Sequence, residues 1–424
     1  MIDGSGYYPS TAFSRSSNVV AFLTIAPLLF LVAATSYQKH ASSSADKLFT
    51  TTLIHVGPDP RVVAIADVNH DGKLDMIVVN SNSHVYDSVG SISVLLGDGK
   101  GNFRLSTGSP FPAGHLPHDV GIGDFDGDGN LDLIVPNHQT PYVRLFLGDG
   151  NGTFREGPGS PFATKAYPHP HGVAVGHFCG TDKSLDATID SWGSGQVELL
   201  IGDGKGGLRN GPMFAAGAGT DARLRSADFN HDGTPDIVIP GLAIGHWNAN
   251  NVTILLGDRE CGFQPAPGSP FPAGADPWIV AIGDMNHDGN PDLVLIPYGA
   301  QVEDTSEIAA TVLLDDGTGR FRPMAGSPFS LTGCKNPGGV ATGDFNGDGM
   351  ADFVVTCMGS DEVLLFRGKK TGGLSLLTAS VPGATGSLEE RDVTLADLRS
   401  RGRDDIIVAD PMTNSITVLR WRGH

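Results

Sequence analysis

The chain has 424 residues, with 28 Lys and Arg against 47 Asp and Glu, for a formal charge of −19. That balance excludes a phosphate-backbone binder, which needs clustered basic residues, and disfavours an anionic membrane surface as partner. An apolar share of 40% supports a large core, 58 Gly and 28 Pro point to many turns, and four Cys are too few for a disulfide scaffold.

Residues 19–34 (VVAFLTIAPLLFLVAA) form an apolar run behind Arg15, interrupted by Pro27. The run is shorter than the roughly 20 residues a spanning helix needs. It matches the apolar part of a secretory signal peptide, with cleavage near Ala33 and Ala34; an uncleaved anchor is the alternative. Residues 1–34 are thus expected to be an export signal and 35–47 a Ser-rich linker. Residues 48–424 are expected to be a folded body that is secreted, cell-surface or periplasmic.

From residue 61 onward one pattern recurs. A short apolar strand leads into an Asp/Asn-Gly loop and a second apolar strand; a third strand ends in Gly-Asp, and a Gly-rich turn opens a fourth. The first loop position falls at Asp67, Asp124, His177, Asp228, Asp284, Asp344 and Asp397, spaced 51 to 60 residues apart. Seven units of four short strands predict an all-β fold, a seven-bladed β-propeller. The last unit stops after its third strand (SITVLRW, 415–421), while LFTTTLIHV (48–56) precedes the first unit without one of its own. The N-terminal strand is therefore expected to complete the last blade and close the ring, which removes an exposed sheet edge.

Five of the loops carry oxygen-bearing side chains at positions 1, 3, 5 and 9, with Gly at position 6. They are Asp67, Asn69, Asp71, Asp75; Asp124, Asp126, Asp128, Asp132; Asp228, Asn230, Asp232, Asp236; Asp284, Asn286, Asp288, Asp292; and Asp344, Asn346, Asp348, Asp352. The backbone carbonyls of position 7, at Lys73, Asn130, Thr234, Asn290 and Met350, can add a further oxygen. A hard cation of calcium size takes six to eight such oxygens, whereas Mg²⁺ prefers fewer protein ligands. Asp, Asn and Gly also favour turns by themselves. Five repeats of one spacing go beyond that preference, because crowded carboxylates repel one another unless a cation neutralises them. Position 12 holds Val78, Val135, Ile239, Leu295 and Val355, so these are hairpin loops and not helix–loop–helix sites. About five structural Ca²⁺ ions are expected. The third loop, with His177, Cys179 and Thr181, is expected to hold none; in the seventh, Arg401 is expected to replace the ion by pairing with Asp397 or Asp405.

The repeat resembles the FG-GAP (VCBS-type) repeat of the integrin α N-terminal propeller and of many exported bacterial proteins. The acidic loops carry the likeness most specifically, with GSPFPAG at 108–114 and 268–274 as looser echoes of the family's signatures. A fungal calcium-binding lectin with this architecture is also similar, so the resemblance implies a binding or adhesion module for a protein or glycan.

The face opposite the acidic loops is expected to be rich in rings. Loops entering the first strands contain His115, His118, Tyr167, His169, His171 and Trp278; loops joining second and third strands contain His84, Tyr86, His138, Tyr142, Trp192, His246, Trp247 and Tyr298. Among these, His115, His118, Tyr142, His169, His171, Trp192, Trp247, Trp278 and Tyr298 are the candidate ligand face, since aromatic rings combine area with a polar handle. Some of them can equally be packing between blades. His169 and His171, with His115 or His118, are a candidate transition-metal set. His70, His231 and His287, at loop position 4, read as solvated turn residues.

Neither a phosphate-binding G-x-x-x-x-G-K-[ST] loop, nor H-E-x-x-H, nor a G-x-S-x-G elbow occurs. A carbohydrate-active lyase or hydrolase on the ring-rich face is the alternative to a binding module. Cys334 and Cys357 can meet in the sixth blade, unless the register sets Cys357 opposite Gly338; Cys179 and Cys261 are expected unpaired. The folded body is expected to be monomeric, with an extracellular protein or glycan as partner, without nucleic acid and without membrane insertion.

Overall fold

The computed structural model describes residues 48–83, 88–138, 140–165, 170–180, 184–191, 195–216, 223–241, 250–297, 308–334, 336–358, 362–371, 373–380 and 392–423. The proposed export signal and linker lie outside them. All regular elements among the described residues are strands, gathered into seven antiparallel sheets.

Each sheet is one blade, and in blades 1 to 6 the first four strands follow chain order from the centre outward. In blade 1 these are Pro60–Ala66, Asp75–Asn80, Val89–Gly97 and Phe103–Leu105. The second strands read as continuous apolar runs because both faces are covered: every residue of Asp75–Asn80, Asp132–Asn137 and Asp352–Cys357 is buried. Seven hydrophobic clusters form the core, each between two neighbouring blades. Ile296 and Val312 of blade 5, for example, meet Val355 and Leu364 of blade 6. The innermost strands converge on the axis and need small residues. A Cβ on Gly121 would sit 2.5 Å from Val175 of the next blade, and one on Gly123 would sit 2.4 Å from Leu185.

Closure is as the repeat count predicts. Phe49–His55 pairs antiparallel with Ser415–Trp421, from Phe49 opposite Trp421 to His55 opposite Ser415. The Phe49 and Trp421 rings pack edge-on at 5.2 Å. In blades 1, 2, 4 and 5 the outer edge is pinned by the serine of the Gly-Ser-Pro-Phe stretch. The hydroxyls of Ser109, Ser160, Ser269 and Ser327 accept the N–H of Val94, Leu145, Ile254 and Val312.

All four cysteines are paired. Cys334 bonds Cys357, whose register partner is Pro337 and not Gly338. The expectation that Cys179 and Cys261 are unpaired is overturned, because they bond to each other. They are 82 residues apart in the chain, but the sheet order sets the blade 3 loop against the outer turn of blade 4, where Cys179 bridges Glu260.

Candidate functional site

Each inner strand runs from one face of the ring to the other and ends in the Asp/Asn loop, so all seven loops share one face. In the five acidic loops the first Asp folds the turn on itself: Asp67 accepts the N–H groups of Asp71 and Gly72, and Asp284 those of Asp288 and Gly289. The position 9 carboxylates are fully buried. In four of the five loops, each fastens its own turn to the end of the third strand. Asp132 accepts from Phe125 and Gly148, and Asp236 from Phe229 and Gly257.

The donor set fits a hard cation. Oxygens of Asp124, Asp126 and Asp128 lie within 4.8 Å of one another. Two ligands of one Ca²⁺, each at 2.3–2.6 Å, stand no more than about 5 Å apart. The electrostatics agree. Burial, then the charges of neighbouring loop carboxylates, pushes Asp132 up to about 6 and Asp236 and Asp292 to about 7. Asp352 is likewise pushed to about 7, and Asp75 and Asp126 are raised as well. A divalent ion beside these groups would relieve that penalty.

The two deviant loops use other chemistry. In blade 3, Asp186 keeps the position 9 role, accepting from Phe178, Cys179 and Gly202, while the disulfide stands at position 3. Thr181 lies outside the described residues. In blade 7 the expected role of Arg401 falls instead to Arg399. Its guanidinium forks onto Asp405 at 3.1 and 2.6 Å, with Arg420 at 3.7 Å. Arg401 contributes its backbone N–H to Asp397. Position 3 reaches position 9 in blade 6 as well, where Asn346 donates to Asp352 at 3.2 Å.

The position 4 histidines are not merely solvated. All three adopt left-handed backbone (φ 56 to 62°) and reach the next blade. His70 meets Asn130 at 3.1 Å, His231 meets Asn290 at 2.8 Å, and His287 accepts the N–H of Ala351. Other seams on this face are closed differently. Gly206 donates to Phe125, Cys179 bonds Cys261, Asp344 and Asp404 exchange hydrogen bonds, and Arg420 donates to Gly101.

The opposite face surrounds the mouth of an axial cavity of about 490 Å³, walled by inner-strand residues such as Val63, Ile122, Val175 and Ile279. Its polar end is cross-braced by ion pairs between blades. Arg223 of blade 4 meets Asp392 of blade 7 at 2.7 Å, and Arg225 meets Asp119 of blade 2 at 3.0 Å. Asp392 also accepts the N–H of Val63, and Asp119 that of Val173. Sequence reasoning missed these residues. The signal available was positional and partial: Asp119 and Asp392 fall just before the apolar residues of an inner strand, whereas Arg225 opens the strand Arg225–Ala227 itself.

Of the candidate ligand face, His115 and Tyr142 are exposed. Trp278 is not displayed for a ligand but packs in the cluster between blades 5 and 6. His118 and His171 are buried and stack on each other, 4.4 Å between centroids. His169, Trp192, Trp247 and Tyr298, like His84, Tyr86, Tyr167 and His246, lie outside the described residues.

Fold and loops together define a seven-bladed β-propeller of FG-GAP type. The FG-GAP-like repeat family matches residues 67–135 and 344–408, so these two stretches are FG-GAP-like repeats. The chain is 26% identical over 239 residues to integrin alpha-IIb of Mus musculus, a match covering 47% of this chain and 22% of that protein, about a fifth of the integrin's length. Among solved structures it is similar in fold to BBS1N in complex with ARL6DN (TM-score 0.53, 8% identity, 89% of this chain and 98% of that one). It is also similar to a catalytically inactive virginiamycin B lyase from Staphylococcus aureus with quinupristin (TM-score 0.51, 12% identity, 88% and 99%).

Proposed function

We propose that this chain is an exported, calcium-stabilised propeller that serves as a binding module for an extracellular protein or glycan. The observation that carries the reading is the division of labour between the two faces. Five oxygen-rich loops occupy one, while exposed rings such as His115 and Tyr142 belong to the other. Calcium is structural in this reading: each ion would be held by positions 1, 3, 5, 7 and 9 of one loop and would neutralise its carboxylates. The similarity to integrin alpha-IIb and the two disulfides support export into an oxidising compartment.

A second reading, a carbohydrate-active lyase or hydrolase, draws on the buried imidazole of His118. Burial and the neighbouring His171 and Arg61 hold it well below the usual imidazole range, so it is a neutral, weakly basic ring that can serve as a hydrogen-bond partner for a substrate hydroxyl. One experiment separates the two readings. The full chain in calcium is applied to a glycan array and to extracellular protein baits, and the same glycans are incubated for turnover. Retention without product supports the module. Product formation that is lost in His118→Ala supports the enzyme, and neither retention nor product would overturn both.

A further inference from the structure

The chain brings three histidines from separate segments to one point beside the channel mouth. Residues 116–118 run against the end of blade 2's second strand: His118 N–H donates to Pro136, and His138 N–H donates to Leu116. His171 is set by its own N–H and that of Gly172, both donating to Asp190 Oδ1 at 2.9 and 2.6 Å. The ring centroids of His138 and His171 are 4.3 Å apart, those of His118 and His171 are 4.4 Å apart, and those of His118 and His138 are 5.6 Å apart. Backbone pairing, not side-chain chance, therefore holds the group together.

We infer that His118, His138 and His171 form a binding site for one borderline divalent transition-metal ion of the zinc type, separate from the calcium loops. The chemistry of the donors selects that class. Neutral imidazoles are ligands for zinc, copper or nickel, whereas calcium takes oxygen. Arg61 and Arg223 face His118 and disfavour positive charge there, but neighbouring carboxylates offset them. Arg223 and Arg225 are paired with Asp392 and Asp119, Arg61 lies beside Asp59, and Asp190 adds a further carboxylate under His171. Two rings are buried while His138 is half-exposed, which leaves a route from solvent. As they stand the three rings do not bring their nitrogens as close together as the oxygens of Asp124, Asp126 and Asp128, so the stacked rings of His118 and His171 must turn about their side-chain torsions to present one nitrogen each. This site lies on the face opposite the acidic loops and does not depend on their occupancy.

The test uses the full chain with calcium in excess, so that the oxygen loops are saturated, and titrates Co²⁺ and Zn²⁺. The expected result is one Co²⁺ per chain with the visible spectrum of a four-coordinate ion held by three imidazoles and a water. Zn²⁺-loaded protein should give X-ray absorption showing imidazole scattering at about 2.0–2.1 Å. His138→Ala and His171→Gln should each weaken binding by at least about 100-fold, while His55→Ala, at an exposed histidine of the N-terminal strand, leaves it unchanged. An oxygen-only shell in the unmutated chain overturns the inference whether or not the variants fold. So does binding that folded histidine variants retain.

Discussion

His231 Nε2 lies 2.8 Å from Oδ1 of Asn290, so position 4 of one acidic loop is tied to position 7 of the next. The same pair of positions meets between His70 and Asn130 at 3.1 Å. The loops therefore act between blades as well as within them. His231 has φ 56°, a backbone region that costs an ordinary L-residue about 1–2 kcal/mol. His231→Ala should lower stability by about 2 kcal/mol in urea unfolding, losing both the bond and the tolerance for this conformation. His231→Gly should cost less, because Gly127 and Gly347 fill the same position in blades 2 and 6. Equal losses for the two variants would show that backbone strain plays no part.

Calcium should matter more as pH rises. Asp236, Asp292 and Asp352 titrate near 7 in the folded chain without a cation, against about 3.9 when unfolded. Between those values the folded state binds more protons than the unfolded one. The contribution of these groups to stability is thus present below about pH 4 and lost as pH rises through 7. In EGTA their effect should be falling stability over that range. Added calcium, favoured once the carboxylates are ionised, should raise Tm little at pH 5 and by several degrees at pH 7.5. An equal rise at both pH values in scanning calorimetry would sink the idea.

The seventh loop can be converted. Arg399 and Arg401 stand where the five acidic loops have Asn or Asp, while Asp397, Gly402 and Asp405 keep their places. Arg399→Asn with Arg401→Asp restores the pattern of the other loops. The double variant should bind one more calcium per chain than the parent by elemental analysis. The single change Arg399→Ala should instead be destabilising, since it leaves buried Asp405 without its forked partner, at about 3 kcal/mol. An unchanged metal count in the folded double variant would refute the proposed ligand set.

Two disulfides should leave no reactive thiol in the denatured, unreduced chain. Cys179→Ser with Cys261→Ser should cost about 2–4 kcal/mol, and roughly 1 kcal/mol more than the Cys334/Cys357 pair, because it releases a longer loop. Thiol titration and urea melts check both statements. Free thiols in the parent would contradict the pairing.

Arg223 is 1% exposed and braces Asp392 across the axis. Burial raises the carboxyl of Asp392, and Arg223 and Arg225 oppose that rise. Arg223→Ala should cost about 3–5 kcal/mol by leaving a buried charge uncompensated, whereas Arg223→Met with Asp392→Leu should recover most of it. Chemical denaturation of the two variants decides the matter, and similar losses in both would show that the pair is not an electrostatic unit.

Much of this molecule is legible in one dimension. The spacing of Asp67, Asp124, His177, Asp228, Asp284, Asp344 and Asp397 counts the blades, because each repeat must carry its own inner strand and turn. The unmatched segment at 48–56 shows how the ring closes, because an unpaired edge strand needs a partner. Position 9 aspartates are visible as candidate ligands, but not as the buried fasteners that also secure the loop of blade 3 through Asp186. Partners between blades could not be read, because the residues that meet come from different repeats. Cys179 and Cys261, His231 and Asn290, and Arg223 and Asp392 each depend on how neighbouring or opposed sheets are rotated about the axis. The choice of Arg399 over Arg401 depends on which side chain the turn lays over Asp405. Local periodicity and turn chemistry determine the repeat by itself; side-chain geometry across the seams decides what each blade does to the next.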